Sequence, residues 1–313
     1  MPGSGSSLFT DADGYQAGLQ GMLDLLVLLP RQFQARLTSV ELPSLRLFRA
    51  QEASPRVAFV TLPSDEVFVT FPTKKGSLLI SSGIELELGD VMFHSRGERL
   101  HQRITAACQW GSISLSPAFL MAYGMAVGGR QLTAPSNCRL LHPASTDRQR
   151  LLRLHGQAAR LAEKSLDSIG HKEVVRALEQ DLIAALVCCL ITRNIREPPA
   201  DTRREAAIMM QLEELLAKHA HRMLRTREFC EAIGITQHAL QVSCLRQLGM
   251  SPGRYQRLRR LKAVRAELMR RSGTVDSVEI VKRYGFADLH GFVAEYWSTY
   301  GEMPPIPPRG ATN

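Results

Sequence analysis

The chain has 313 residues, 44% of them hydrophobic, which is enough for about two globular cores. Its 39 Lys and Arg against 30 Asp and Glu give a formal net charge of +9. The apolar stretch "GMLDLLVLLP" is too short and too interrupted to span a bilayer, so no membrane partner is expected. The start, MPGSGSSLFT, lacks the basic region of a signal peptide. The six cysteines form no C-x-x-C pair and none has a His at zinc-ligand spacing, so they read as buried thiols of a cytoplasmic protein.

Along the chain, residues 1–20 are Gly- and Ser-rich and are expected to be mobile, followed by a short apolar segment at 22–29. Residues 36–117 are short, β-branched apolar runs broken at Pro63, Pro72, Gly83 and Gly89, which predicts a meander of strands in a β-rich domain over 21–146. From 147 the period changes to three and four: Leu151, Leu154, Ala158 and Leu161, then Val174, Val175, Leu178, Leu182, Ile183, Leu186 and Leu190. Two amphipathic helices follow from this, divided near Gly170 and ending by 196, and their apolar excess predicts a dimer interface that includes Leu186 and Leu190. The paired prolines and charges of 197–205 read as a linker.

Residues 206–313 read as helical, and one pattern occurs there twice. In "RTREFCEAIGITQHALQVSCLRQLGMSP" a short helix stops at Gly234, and Thr236 caps a second that buries Leu240 and Cys244. In "SVEIVKRYGFADLHGFVAEYWSTYGEMP" a short helix stops at Gly285, and another starts near Asp288 and buries Phe292 and Tyr296. Helix, tight glycine turn and helix make a helix-turn-helix unit, whose second helix can enter a major groove. The connecting stretch, "GRYQRLRRLKAVRAELMRR", has eight basic residues and one acid. Residues 203–313 hold 18 of the basic but 11 of the acidic side chains, an asymmetry that points to a polyanion such as double-stranded DNA.

Gly234-Ile235-Thr236, "LGMSPGRY" at 248–255, Arg260-Leu261, "YGFADL" at 284–289 and Tyr300-Gly301 together resemble the DNA-binding domain of AraC/XylS-family transcription regulators. The resemblance implies two reading helices in successive major-groove segments about 34 Å apart. RNA polymerase is the partner it adds. Helical angle turns His238 and Val242 outward on the first reading helix, with Gln237 and Gln241 on its flank, and His290 outward on the second; these are the expected base-reading residues. Arg259, Lys262 and Arg270 are expected on phosphates. Arg260 could meet either a phosphate or an internal carboxylate. Cys244, Val264 and Val281 stand where the family usually has Phe, Ala and Ala. Pro305, Pro307 and Pro308 preclude a regular helix after 304.

"ELELGDVMFHS" resembles, more faintly, a strand-turn-strand of the cupin-like sensor domains that accompany such modules. The expected architecture is α+β: an antiparallel β barrel of cupin-like form, a helical dimerisation element and an all-α tandem helix-turn-helix domain. His94, Arg96, His101, Arg103 and Trp110 could line a pocket for a small anionic effector. No cofactor is expected, and His94, Glu98 and His101 lack the spacing of a cupin metal site. A cupin-type metalloenzyme with an appended helical domain is the alternative reading.

Overall fold

The computed structural model describes residues 4–28, 33–164, 172–270 and 277–306, so Gly170, Pro307 and Pro308 lie outside it. Its first part runs β1 (Gly5–Phe9), α1 (Ala12–Gly18), β2 (Leu23–Val27), β3 (Ala35–Glu41), β4 (Leu45–Glu52), β5 (Arg56–Thr61) and β6 (Val67–Pro72). There follow β7 (Leu79–Ser81), β8 (Ile84–Leu86), β9 (Val91–Phe93), β10 (Arg99–Ile104), β11 (Cys108–Leu115), α2 (Pro117–Gly128), β12 (Arg139–Leu141), α3 (Ser145–Lys164), α4 (Lys172–Leu190) and β13 (Ile195–Arg196). The second part is helical: α5 (Ala200–Lys218), α6 (Thr226–Ile233), α7 (Gln237–Leu248), α8 (Pro252–Arg270), α9 (Ser277–Arg283) and α10 (Leu289–Tyr300).

The strands form two antiparallel sheets, ordered β1-β3-β4-β11-β6-β9-β12-β13 and β2-β5-β10-β7-β8. Alternation along each strand sends successive side chains to opposite faces, and in the large sheet both faces are covered. Phe48, Ala50, Phe68, Cys108 and Trp110 pack toward the small sheet with Ala58, Val60, Leu79 and Leu100. Leu45, Leu47, Val67, Val69, Phe71, Ile113 and Leu115 pack under α2, α3 and α4. Double coverage explains why every residue of "VFVTFP" is buried, including Thr70, its one polar side chain. Ser82 and Gly83, both at positive φ, make the two-residue turn between β7 and β8.

Three expectations change. From residue 4 onward the supposedly mobile N-terminus is part of the fold: β1 pairs with β3, and Tyr15 and Leu19 are buried between the sheets. Glycine- and serine-rich composition does not forbid a strand when the sheet edge supplies its hydrogen bonds. The linker shrinks as well, because α5 begins at Ala200, and the element expected to be helical ends in a short strand, β13, that pairs with β12. Finally, Leu186 and Leu190 are buried within the core of the chain itself, against the large sheet, where they cannot face a second copy. Leu186→Ala should therefore lower the unfolding free energy by about 2–5 kcal/mol while leaving the sedimentation mass unchanged. A change of mass with unaltered stability would return this residue to an interface.

Candidate nucleic-acid interface

Both glycine turns are built as the spacing predicts. Gly234 closes α6 at φ 75°, and the Thr236 side chain accepts from the Ala239 N–H at 3.1 Å to start α7. Gly285, also at φ 75°, follows α9, and Asp288 caps α10 by accepting from the His290 N–H at 3.0 Å. Leu240 and Cys244 are fully buried, the Cys244 thiol lying 3.8 Å from the Met209 sulfur, and Phe292 and Tyr296 are buried in the second unit. Gln237, His238, Gln241 and His290 are exposed and Val242 is half-buried. A Cβ at Gly291 would meet the Asp288 carboxylate at 2.6 Å, so this glycine makes room for the cap of its own helix.

The cations of α8 are placed differently from expectation. Arg270 is exposed, as a phosphate contact requires. Arg259, however, donates to Glu213 at 2.7 Å and pairs with Asp24 at 3.4 Å. Lys262 pairs with Asp24 and donates to Gln16 at 2.8 Å, and Arg265 pairs with Asp13. The outward side of α8 thus rests on α1 and β2. Arg260 takes neither of its two expected partners: it is buried, its guanidinium lies 5.5 Å from the Phe286 ring centroid, and it donates to the His221 carbonyl. A side chain at Gly285 would collide with it.

The centre of this contact is Glu213, on the buried side of α5 beside Met209, Leu212 and Leu216. His101 of β10 lies 2.8 Å from its Oε1, the Tyr255 hydroxyl donates to the same oxygen, and Arg259 donates to Oε2. Burial alone would raise the Glu213 carboxyl, but the His101 hydrogen bond and the Arg259 charge hold it below its ordinary value. Around the polar centre, Leu26 and Val57 of the small sheet share one apolar cluster with Ile208, Leu224, Phe229, Leu240 and Tyr255.

The five residues expected to line an effector pocket are dispersed. His94 is buried between Glu98, at 3.0 Å, and Thr70, at 3.1 Å. Arg96 donates to the Ser64 carbonyl at 2.7 Å. His101 and Arg103 share one face of β10, which α5 and α7 cover; Arg103 donates to the Arg246 carbonyl and packs on Gly249. Trp110 is on the other sheet, its indole donating to Glu52 at 2.8 Å. They are near in sequence, but β10 and β11, which follow one another along the chain, belong to different sheets and are not paired with each other.

The residues not foreseen are Glu213, Asp24, Asp13 and Tyr255. Glu213 carried a signal: it is an acid on the apolar side of a helix, and the positions four away, Met209 and Ala217, hold no base to pair with it.

Comparison with known proteins fits the geometry of the helical part. Residues 229–305 match the model of a helix-turn-helix domain family. A probable thc operon regulatory protein of Rhodococcus erythropolis is 30% identical over 92 residues, which is 29% of this chain and 28% of that one, so the similarity spans under a third of the relative. Among solved structures, the AraC-like transcriptional activator CuxR aligns over 90% of this chain and 99% of its own at 16% identity and a TM-score of 0.46. ToxT from Vibrio cholerae aligns over 84% and 96% at 11% identity and a TM-score of 0.30. The glycine turns, the caps and the sequence match together make the C-terminal part of this chain a helix-turn-helix domain of the AraC type.

Proposed function

We propose that the chain is a sequence-specific DNA-binding transcription regulator that uses α7 and α10 as reading helices. One observation carries this reading: each of these helices buries an apolar side, while Gln237, His238, Gln241 and His290 remain in solvent. Gln can address adenine through two hydrogen bonds, His can meet a purine edge, and the Val242 methyls suit thymine. Arg270 adds a phosphate contact. On this reading the two sheets are the sensor, and a small-molecule effector or protein partner shifts the population between the docked form and one in which α8 releases Asp24 and Asp13. The family resemblance adds RNA polymerase as a partner. The metalloenzyme alternative draws no support from the relatives.

Binding of alanine variants to cognate and scrambled duplexes across a salt series tests the assignment. His290→Ala should cost about 1–3 kcal/mol on the cognate site and relax preference at one base pair. Arg270→Ala should weaken all sequences alike and lower the salt slope by about one. While α8 stays docked, Lys262→Ala should leave that slope unchanged, because Lys262 faces Asp24. Equal loss on both duplexes for His290→Ala would leave the second unit gripping backbone alone.

Docking itself should depend on pH through Glu213. A carboxyl held lower in the folded than in the unfolded chain adds stability above its unfolded value, and that stability is lost as pH falls through the folded one. The unfolding midpoint of the wild type should therefore drop as pH is lowered below the ordinary carboxylate value of 4.5, and Glu213→Gln should lose less over that window. Parallel losses would show that Glu213 contributes nothing to the acid sensitivity.

A further inference from the structure

A cavity of about 440 Å³ opens where the first residues of β3, the end of β4, the start of β11 and the 73–77 loop meet. Arg36, Lys74 and Lys75 stand around it, all exposed, and none of the three has an ion pair among the described residues. The loop carrying the two lysines is fixed in place. The Thr73 N–H donates to the Gln109 carbonyl at 2.9 Å, the Gln109 N–H donates to the Ser77 hydroxyl at 2.9 Å, and the Ser77 N–H donates to the Lys74 carbonyl at 3.2 Å.

The acid of the cavity does not offset these cations. Glu52 is buried and committed inward: its Oε1 accepts from Tyr15 at 2.6 Å, Trp110 at 2.8 Å and Arg56 at 3.0 Å, and its Oε2 from Arg56 at 2.8 Å. Three exposed cations without ion pairs among the described residues therefore border one concave surface, where their like charges add to a positive potential. The amides of Gln51 and Gln109 line the same wall and can fix the orientation of a polar body.

We propose that this cavity binds a small polyanion, a compound with two or more negative charges such as a phosphate ester or a polycarboxylate. Arg36, Lys74 and Lys75 supply the charge, and Gln51 and Gln109 the directional hydrogen bonds. From the floor of the cavity a continuous path leads to the helical domain. Arg56, held by Glu52, donates to the Gln102 side chain at 2.7 Å and to its carbonyl at 3.4 Å, and the neighbouring His101 meets Glu213. Coupling of the anion to DNA affinity rests on the function proposed above; the binding does not.

Trp110, bonded to Glu52, reports on the cavity floor, and Trp297 is the one other tryptophan. The full chain bearing Trp297→Phe is titrated with sodium pyrophosphate and, separately, with citrate, at constant ionic strength against potassium chloride. A saturable change in emission is expected with at least one anion at millimolar or lower concentration. In Lys74→Gln/Lys75→Gln, whose exposed sites should leave the unfolding midpoint unchanged, half-saturation should rise about tenfold or more. Response to pyrophosphate alone identifies a phosphate compound, to citrate alone a polycarboxylate, and to both a less selective polyanion site. No saturable response to either anion, or unchanged half-saturation in the double variant, overturns the proposal; the second result places the anion on another basic surface. With binding established, an anion-dependent change in operator affinity that disappears in the double variant supports the coupling, and its absence overturns the coupling alone.

Discussion

A carboxylate taken out of water has to be surrounded by donors, and in this molecule the donors around Glu213 come from both halves of the chain. His101 reaches it from β10, and Tyr255 and Arg259 reach it from α8, while Glu213 itself is held by α5. Three elements are thereby fixed in mutual position by one group. The apolar contacts follow from that placement: Leu26 and Val57 become part of the core that Met209, Leu240 and Tyr255 build. The helical domain is docked through a shared core, with a short connection at Glu197–Pro199 between β13 and α5. A buried ion pair of this kind carries little net stability, since each charge has been desolvated.

Charge in the C-terminal third therefore serves two purposes that the net value cannot separate. Arg259, Lys262 and Arg265 face Glu213, Asp24 and Asp13. Arg260 stacks on Phe286 and packs over Gly285, so it holds the second helix-turn-helix together from inside. What remains for a polyanion on α8 includes Arg270 at its C-terminal end. The number of phosphates neutralised, and with it the salt dependence of DNA binding, is set by the unpaired cations and is smaller than composition suggests. Half-exposed pairs such as Lys262 with Asp24 are weakened by salt, whereas the Glu213 centre is shielded from it.

Local features of the helical domain were legible because each rests on its own backbone chemistry. Gly234 and Gly285 adopt positive φ, Thr236 and Asp288 cap the helices that follow, and apolar periodicity places Leu240, Cys244, Phe292 and Tyr296 inside. Helical angle cannot give whether the cation-bearing side of α8 meets solvent, DNA or another part of the chain. The dispersal of His94, Arg96, His101, Arg103 and Trp110 has the same origin. Alternation puts His101 and Arg103 on one face of β10, but the identity of the covering layer, α5 and α7, is a property of the assembled chain. Helix α2 was overlooked although its signals are local: Ser116 accepts from the Phe119 N–H, Pro117 follows, and Gly129 ends it in the left-handed conformation. The run "PAFLMAYGMAVG" hid it, because it is apolar on all sides and shows no helical period.

Strand β10 joins the two buried carboxylates. Neighbouring residues of a strand point to opposite faces, so Gln102 turns inward to Arg56 and Glu52, while His101 turns outward to Glu213 and Tyr255. One peptide unit separates the polar centre of the sheets from the polar centre of the domain contact. On its inner side the carbonyl and side chain of Gln102 both accept from Arg56, so the backbone of β10 is tied to Glu52 as well as to its neighbours β5 and β7. On its outer side the Nδ1 of His101 has no hydrogen-bond partner among the described residues, and the ring is held by its Nε2 contacts and by packing on Phe59 and Tyr255. Glu52, Arg56, Gln102, His101 and Glu213 are all buried, so they form a continuous series of packed polar contacts from the interior of the sheets to the domain contact. Alternation in a single strand thus puts the polar centre of the sheets and the polar seat of the helical domain on the two faces of β10.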